Sequence, residues 1–283
     1  DTFDAVIFES LLTILPGDPG AALAEMVRVL KPGGLVAGNE ATIDPKYLPK
    51  LESLIAQHPA IRRAYTADSL RKQFESAGLV SEAIKHSLSA ENLVRAAELV
   101  ERHSSGELAA ERWDVVERWL DQLPPRIKAE RPQLLLTEAW IANARMQLNR
   151  VAALVEQTEA LLRDEKATPT QLGELAHFHG VLHYWAGEAE AAERLLSDAV
   201  SSMERDRPFF AFIARLMLAL ARYMAGNKAS ALGVLRERLQ AVEAQDGQLR
   251  AYLLGPLAII HLLAGDLTQA RMEGERIQRV ARK

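Results

Sequence analysis

The stretch Ala186–Ala192, with the sequence AGEAEAA, decides the fold because its pattern returns twice at one fixed distance. Gly187, Gly226 and Gly265 each follow an alanine, and they are 39 residues apart. A second alanine stands five residues after each glycine: Ala192, Ala231 and Ala270. Glycine suits the left-handed turn that ends a helix, and a small alanine lets the next helix pack closely. The pattern therefore predicts repeated helical hairpins.

One further turn is expected before these three. Asn149 stands 38 residues before Gly187, and asparagine also tolerates a left-handed backbone, so we predict that it fills the same turn one repeat earlier. Stacked hairpins of this kind bury a continuous core. The sequence thus predicts a mainly α fold with an α-solenoid over residues 80–283. A helical bundle that happens to use Ala-Gly turns is the alternative.

The N-terminal part has a different pattern. Phe3–Phe8 is a short apolar run typical of a buried parallel strand, and Ala21–Leu30 has apolar residues at helical spacing. The string KPGG at 31–34 is expected to stop that helix, and LVAGNEA at 35–41 to form a second strand. A strand, a helix and a strand in this order predict a crossover unit of an α/β fold. Two strands make an incomplete sheet, and the chain begins at Asp1 without methionine, so we expect an incomplete N-terminus.

Composition narrows the function classes. The 283 residues are 48% hydrophobic and 25% charged, which is ordinary for a globular protein. The net charge of -4 provides no general basic field for nucleic acid. The chain contains no cysteine, which excludes disulfides and thiolate metal sites and suits a reducing cytoplasm. The apolar stretches Phe209–Gly226 and Ala251–Gly265 are interpreted as buried helices rather than membrane spans.

Residues 1–79 resemble the C-terminal half of a class I, S-adenosylmethionine-dependent methyltransferase. The resemblance lies in FDAVIFESLLTIL at 3–15 and in ALAEMVRVLKPGGLVAGNEAT at 22–42. It implies that Glu9 and Ser10, at the carboxyl end of the first strand, lie beside cofactor and substrate, and that Glu40 stands at the corresponding end of the next strand.

The parts with which that family holds its cofactor are not found in this sequence. The family uses a glycine-rich loop after its first strand and an acidic residue after its second. The string PGGLVAG at 32–38 is no substitute, because it precedes a strand, whereas a cofactor loop must open a helix. Ordinary strand-end carboxylates are the alternative interpretation of Glu9 and Glu40. S-adenosylmethionine is expected only if the upstream half of the enzyme exists.

From Gly78 onward the chain resembles the helical-repeat region, which is TPR-like, of MalT-like, LuxR-type transcriptional regulators. The resemblance lies in GLVSEAIKHSLSAENLVRAAELVERH at 78–103, ERWDVVERWLDQLP at 111–124 and RPQLLLTEAWIANARMQ at 131–147. It implies a region that binds a small inducer or a protein partner in the solenoid groove and links an ATPase module to a DNA-binding module. No phosphate loop ending in Gly-Lys-Ser/Thr occurs in the sequence, so the ATPase module is not expected within it. The DNA-binding module is not seen in the sequence either, so direct nucleic-acid binding is not expected from this chain.

The two resemblances meet at Gly78 and Leu79, which serve both. We predict a domain boundary there, with residues 1–79 as a partial α/β segment and residues 80–283 as the solenoid. A natural fusion and a wrongly joined gene model both remain open. Two functions follow: a binding region of a transcriptional regulator, or a methyltransferase that carries an interaction domain.

Three further groups of residues were considered. His179 and His183 are four apart, as metal ligands on a helix would be, but Gly180 stands where a zinc hydrolase needs glutamate. Hydrogen-bonded histidines along a repeat groove, with His177 among them, are the favoured interpretation, and no metal is expected. The tryptophans are predicted to lie in the core: Trp113, Trp119, Trp140 and Trp185. A basic C-terminal segment is predicted to be a solvated helix face: Arg271, Arg276, Arg279, Arg282 and Lys283.

Overall fold

The computed structural model of the protein describes residues 3–9, 18–39, 79–163, 167–242 and 247–281. The chain divides into two compact units, residues 1–128 and residues 129–283. No described helix is both long enough and apolar enough to cross a membrane.

The first unit opens with a parallel β-α-β arrangement. Strand β1 (Phe3–Glu9) pairs with strand β2 (Leu30–Asn39), and helix α1 (Pro19–Arg28) connects them. Asp18 caps α1, because its side chain accepts hydrogen bonds from the backbone of Gly20 and Ala21. The crossover predicted from the sequence is therefore present.

The end of α1 differs from the prediction. The helix ends at Arg28, and Leu30 already pairs with Phe3 in the sheet. The next registered pair is Ala5 with Leu35. Between these two pairs β1 advances by two residues and β2 by five, so β2 contains an irregular segment. The KPGG string lies in this irregular part of β2 instead of stopping the helix. Glycine and proline within a strand commonly mark such an irregularity.

The other described part of the first unit, from residue 79 onward, is helical. Its helices are α2 (Val80–Ser89), α3 (Leu93–Ala109), α4 (Trp113–Gln122) and the short α5 (Pro125–Ala129), which ends one residue beyond the unit boundary. Trp119 on α4 is 3% exposed, and its indole Nε1 donates to Ser81 Oγ on α2 at 2.9 Å. This contact ties the first of these helices to the third.

The described residues of the second unit form four helical hairpins. The first is α6 (Pro132–Ala144) with α7 (Leu148–Leu162), and the second is α8 (Pro169–Trp185) with α9 (Ala189–Met203). The third is α10 (Pro208–Met224) with α11 (Lys228–Ala241), and the fourth is α12 (Gly247–Leu263) with α13 (Leu267–Ala281). Successive hairpins share buried side chains, so the predicted α-solenoid of TPR-like hairpins is confirmed.

All four hairpins turn in the same way. At the second hairpin the Gly187 N–H donates to the Tyr184 carbonyl at 3.1 Å, and the Glu188 N–H donates to the His183 carbonyl at 2.9 Å. This is the Schellman arrangement, in which one left-handed residue ends the helix. The same pair of bonds occurs at six turns in the described chain, with these left-handed residues: Glu91, Glu111, Met146, Gly187, Gly226 and Gly265.

The prediction for Asn149 is wrong. The left-handed residue of the first hairpin is Met146, with a φ of 57°, and Asn149 lies inside α7. The Met146 and Gln147 N–H groups make the two Schellman bonds, to the carbonyls of Asn143 and Ala142. These hydrogen bonds hold Met146 in the left-handed conformation. The turn therefore forms even though its central residue is not one, such as glycine or asparagine, that favours this conformation.

The residue five positions after the left-handed residue marks the stacking face. At five of the six turns it is fully buried: Ala96, Val116, Val151, Ala192 and Ala231. Ala270, at the equivalent place in the fourth hairpin, is only partly buried. The residue at this position of the repeat therefore belongs to the helical core within each unit.

Candidate functional site: the hairpin tips and a buried polar cluster

The tips of the last three hairpins share a six-residue pattern. The sequences are HYWAGE at 183–188, RYMAGN at 222–227 and HLLAGD at 261–266. Each has a basic residue, two large apolar residues, Ala-Gly and a polar residue that begins the next helix. The left-handed glycine orients all three tips alike, because φ is 83°, 87° and 76° at the three positions. We call these six-residue segments the hairpin tips.

The apolar residues of the tips are exposed to an unusual degree. Trp185 is 52% exposed, and Leu262 and Leu263 are 57% and 61% exposed. Tyr184, Tyr223 and Met224 are partly buried at the matching positions. Tyr184 and Trp185 contact each other edge to face, with ring centroids 5.4 Å apart. The core placement predicted for Trp185 is thus wrong, whereas Trp119 and Trp140 are buried and Trp113 is partly buried.

The basic residue of each tip is paired with an acid. His183 Nδ1 lies 2.5 Å from Glu188 Oε2, and His261 Nδ1 lies 3.4 Å from Asp266 Oδ2. The two pairs stand at matching positions two repeats apart, but only His183 and Glu188 are joined by a hydrogen bond. At the third hairpin Arg222 Nε lies 3.2 Å from Glu193 Oε1. Because each basic residue lies beside an acidic one, the chemical character of the exposed tip surface is set mainly by the apolar residues.

The three neighbouring histidines of α8 do not form a metal centre. His179 Nε2 lies 2.8 Å from Glu159 Oε1 on α7, while His183 bonds to Glu188. His177 is fully buried, and neither of its ring nitrogens has a hydrogen-bond partner among the described residues. The described part of the chain contains no group of three or more possible metal ligands. The hydrogen-bonded role predicted for His177 is therefore wrong.

A second notable group is buried between the hairpins. Glu174 on α8 is 0% exposed, and its Oε1 accepts a hydrogen bond from Trp140 Nε1 at 2.8 Å. Its Oε2 lies 3.3 Å from Gln133 Nε2. His177 stacks on Trp140, with ring centroids 4.4 Å apart and an interplanar angle of 20°. Burial lowers the pKa of His177 to about 3, so its ring is neutral.

Burial also raises the pKa of Glu174, against the opposing effects of the Arg207 charge and of the hydrogen bonds from Trp140 and Gln133. We call Glu174, Trp140, Gln133 and His177 the buried polar cluster. Sequence reasoning missed the acid, because nothing in the pattern of α8 distinguishes a glutamate that faces solvent from one that faces the core.

The strand-end candidates are only partly described. Glu9 is paired in register with Asn39, so both lie at the carboxyl ends of neighbouring parallel strands. Ser10 and Glu40 lie outside the described residues. The pairing places one methyltransferase-like candidate at the expected edge of the sheet, and the remaining two stay predictions.

The basic C-terminal segment is largely paired. Arg276 lies 3.0 Å from Glu273, and Arg271 lies 3.0 Å from Glu275. Arg279 donates to the Glu275 carbonyl at 3.3 Å. Arg282 and Lys283 lie outside the described residues.

Comparison with known proteins gives results for both parts of the sequence. Residues 1–38 match the family described as Methyltransferase domain. Over 165 residues, the chain is 25% identical to the HTH-type transcriptional regulator MalT of Serratia proteamaculans and 23% identical to MalT of Yersinia pestis. Each alignment covers 58% of this chain and 18% of the regulator. The chain therefore spans about a fifth of the length of these relatives.

Two solved structures are also similar. A Podospora anserina kinesin light chain with nearly identical TPR-like repeats is 18% identical, with a TM-score of 0.38, over 76% of this chain and 93% of the other. A variant of that same kinesin light chain is 17% identical, with a TM-score of 0.40, over 83% of this chain and 95% of the other. The sequence relationship is thus to MalT-type transcriptional regulators, together with a short match to a methyltransferase family at the N-terminus.

Proposed function

We propose that the helical repeats are the partner-binding region of a MalT-type transcriptional regulator, and that the hairpin tips bind a protein. The observation that carries this proposal is the return of a large apolar pair at three successive tips, in which Trp185, Leu262 and Leu263 are exposed and Tyr184, Tyr223 and Met224 are partly buried. Contiguous exposed apolar surface commonly marks a site of protein interaction. The similarity to MalT regulators supports a role in transcriptional control.

The spacing of the tips suggests the form of the partner. Packed helices lie about 8–10 Å apart, so neighbouring tips are separated by a distance of that order. Seven residues of an α-helix rise about 10 Å. An amphipathic helix with an apolar residue at every seventh position would therefore place one side chain on each tip. Trp185 is well suited as an anchor, because tryptophan is enriched among the residues that dominate binding energy.

The same reasoning favours a protein over a small inducer in the solenoid groove. The apolar tip residues are spread over three repeats rather than gathered in one enclosed pocket, and small-molecule sites are usually concave and closed. Transcriptional control implies the cytoplasm as the place of action. We also place the boundary between the α/β segment and the repeats at residues 79 and 80, where the two sequence resemblances meet.

A photo-crosslinking experiment tests the proposal. Benzoylphenylalanine is introduced at Trp185, Met224 or Leu263 of the full chain, and covalent adducts formed in the source cells are identified by mass spectrometry. The expected result is one common protein captured from all three positions. Placement at Asp198, which is exposed on α9 and lies ten residues beyond the tip, is the matched control.

The outcome is decided by position. Capture of the same protein from the tips but not from Asp198 supports the proposal, provided that Trp185→Ala in the same chain reduces capture from position 263. Equal capture from tip and control positions, or none from any tip, would contradict it.

A methyltransferase is the second candidate, because residues 1–38 match that family and the β-α-β unit has the corresponding parallel order. The described residues do not fit the cofactor. Their adjacent glycines, Gly33 and Gly34, lie inside β2 instead of opening a helix, so they form no cradle for S-adenosylmethionine. Isothermal titration with S-adenosylmethionine tests this candidate, and no binding by the present chain is expected.

A further inference from the structure

The buried polar cluster joins the first two hairpins through one ionisable side chain. Glu174 belongs to α8, and both of its hydrogen-bond donors, Trp140 and Gln133, belong to α6. Trp140 also contacts Phe210 on α10, with ring centroids 4.5 Å apart. The first helices of three successive hairpins therefore meet around this carboxyl group.

The surroundings of the carboxyl group are mostly apolar. Trp140 packs against His177, Phe178 and Phe210. Among the described residues, the charged group that acts on Glu174 is Arg207, whose guanidinium lies over the Phe210 ring at 5.7 Å. His177 is the other titratable group, and it is neutral. An ionised carboxylate here would accept hydrogen bonds from two neutral donors, Trp140 and Gln133, while the Arg207 guanidinium lies over the Phe210 ring. These contacts compensate poorly for the hydration that the carboxylate loses on burial.

The repeat itself shows that the acid is an exception. The residue 39 positions after Glu174 is Ile213, and the next equivalent is Tyr252, both packed against the apolar core of later hairpins. The third and fourth hairpins therefore use an apolar side chain at this position. A buried glutamate in such a place makes the contact between the first helices of the first two hairpins depend on the protonation of its carboxyl group.

We propose that Glu174 is a proton-controlled latch between the first and second hairpins. When its carboxyl group is protonated, α8 stays packed on α6. When the proton leaves to solvent, the carboxylate gains hydration by separating these helices, and Trp140 becomes accessible. The inference does not rest on the proposed protein partner, because it concerns packing inside the array.

The direction of the pH effect follows from linkage. The pKa of Glu174 is raised in the folded state, so folding favours the protonated form. Its contribution to stability is complete below the unfolded pKa, near 4.5, and is lost as pH rises through the folded pKa. Alkaline conditions should therefore open the latch.

Hydrogen exchange at the Trp140 indole N–H tests this. The resonance is assigned by its loss in Trp140→Phe, and its exchange is followed by NMR from about pH 5 to pH 9, a range that brackets the titration of a buried carboxyl group. Relative to Glu174→Gln, the wild-type chain should show exchange that accelerates several-fold more over this range. Glu193→Gln, which changes another partly buried acid of the second hairpin, should behave like the wild type.

A direct titration keeps the inference testable if Glu174→Gln does not fold. The wild-type chain is labelled with ¹³C at glutamate side chains, and the Glu174 carboxyl shift is measured against pH. A midpoint above the ordinary glutamate value, coincident with the onset of faster Trp140 exchange, supports the latch. A midpoint at or below the ordinary value would overturn it, as would equal acceleration of exchange in wild type and Glu174→Gln.

Discussion

Gly180 on α8 lies so close to Leu196 on α9 that a Cβ atom on the glycine would be 2.6 Å from the leucine Cγ. Seven residues earlier, a Cβ on Gly173 would be 2.8 Å from the Cβ of Ser202. Two glycines on one face of α8 thus set the separation of the two helices in this hairpin. A side chain at either position must displace the facing side chain on α9 or push the helices apart.

We therefore expect Gly180→Ala to lower the free energy of unfolding by about 1–3 kcal/mol, the usual effect of inserting a methyl group into a packed interface. Urea denaturation monitored by circular dichroism measures this. Gly233→Ala is the matched control, because Gly233 lies in α11 with no atom within 4 Å of its would-be Cβ. That change should stabilise the chain by about 0.5–1 kcal/mol, since alanine favours a helix. A neutral Gly180→Ala would refute the close-packing interpretation.

At the left-handed turns, replacing a glycine should lower the stability of the chain, and introducing a glycine should raise it. Gly187 has a φ of 83° and open space around its would-be Cβ, so Gly187→Val tests backbone conformation without a collision. The expected loss is on the order of 1–2 kcal/mol, because a side chain fits the left-handed region badly. Met146 already has a φ of 57° and is 55% exposed, so Met146→Gly should gain roughly 0.5–1 kcal/mol. Thermal unfolding of both variants checks the pair, and equal melting temperatures would argue against these turns.

The start of α8 carries a capping box. Thr168 Oγ1 accepts from the Gln171 N–H at 3.2 Å, and Gln171 Oε1 accepts from the Thr168 N–H at 2.9 Å. Thr168→Ala should cost about 1 kcal/mol, because one backbone donor of the first turn loses its partner. Thr168→Ser keeps the hydroxyl group and should be nearly neutral. Urea titration measures both, and amide exchange at Gln171 should quicken only in the alanine variant.

His177 makes the array sensitive to acid. Its pKa falls from an ordinary 6.5 to about 3 in the folded chain, so the unfolded chain binds the proton more readily. Its stability contribution is complete above about pH 6.5 and is lost as pH falls toward 3, by about 1.4 kcal/mol for each pH unit. His177→Phe retains a ring against Trp140 and removes the proton site. The slope of unfolding free energy between pH 6 and pH 4 should be smaller in this variant by about that amount, and an unchanged slope would contradict the assignment.

The fold could be predicted largely because the turn signal is local. Three glycines at equal distances suffice to indicate hairpins, and the structure gives all three a positive φ. Met146 could not be found in this way, because the Schellman hydrogen bonds hold a residue with no preference for that conformation. The separation of 41 residues between Met146 and Gly187 also departs from the 39-residue period.

The candidate site was harder to predict because it depends on contacts between repeats. Trp140 and Trp185 both occur among alanines and leucines, yet one is 2% exposed and the other 52%. The difference is their place in the hairpin: Trp140 faces the next hairpin, whereas Trp185 lies at the tip. Aligning the sequence on the three glycines would have revealed the repeated tip pattern. The burial of Glu174 would not have appeared, since it requires knowledge of which helices meet.

The short turns have a mechanical consequence. In each hairpin only three residues lie between the end of the first helix and the start of the second, so the connection can extend very little. If the array were stretched between its ends, extension could not be absorbed by the turns and would have to come from sliding or separation of neighbouring hairpins. The repeats should then yield one hairpin at a time, each releasing roughly 40 residues of chain, and the contact at Glu174 would set a force threshold that changes with pH.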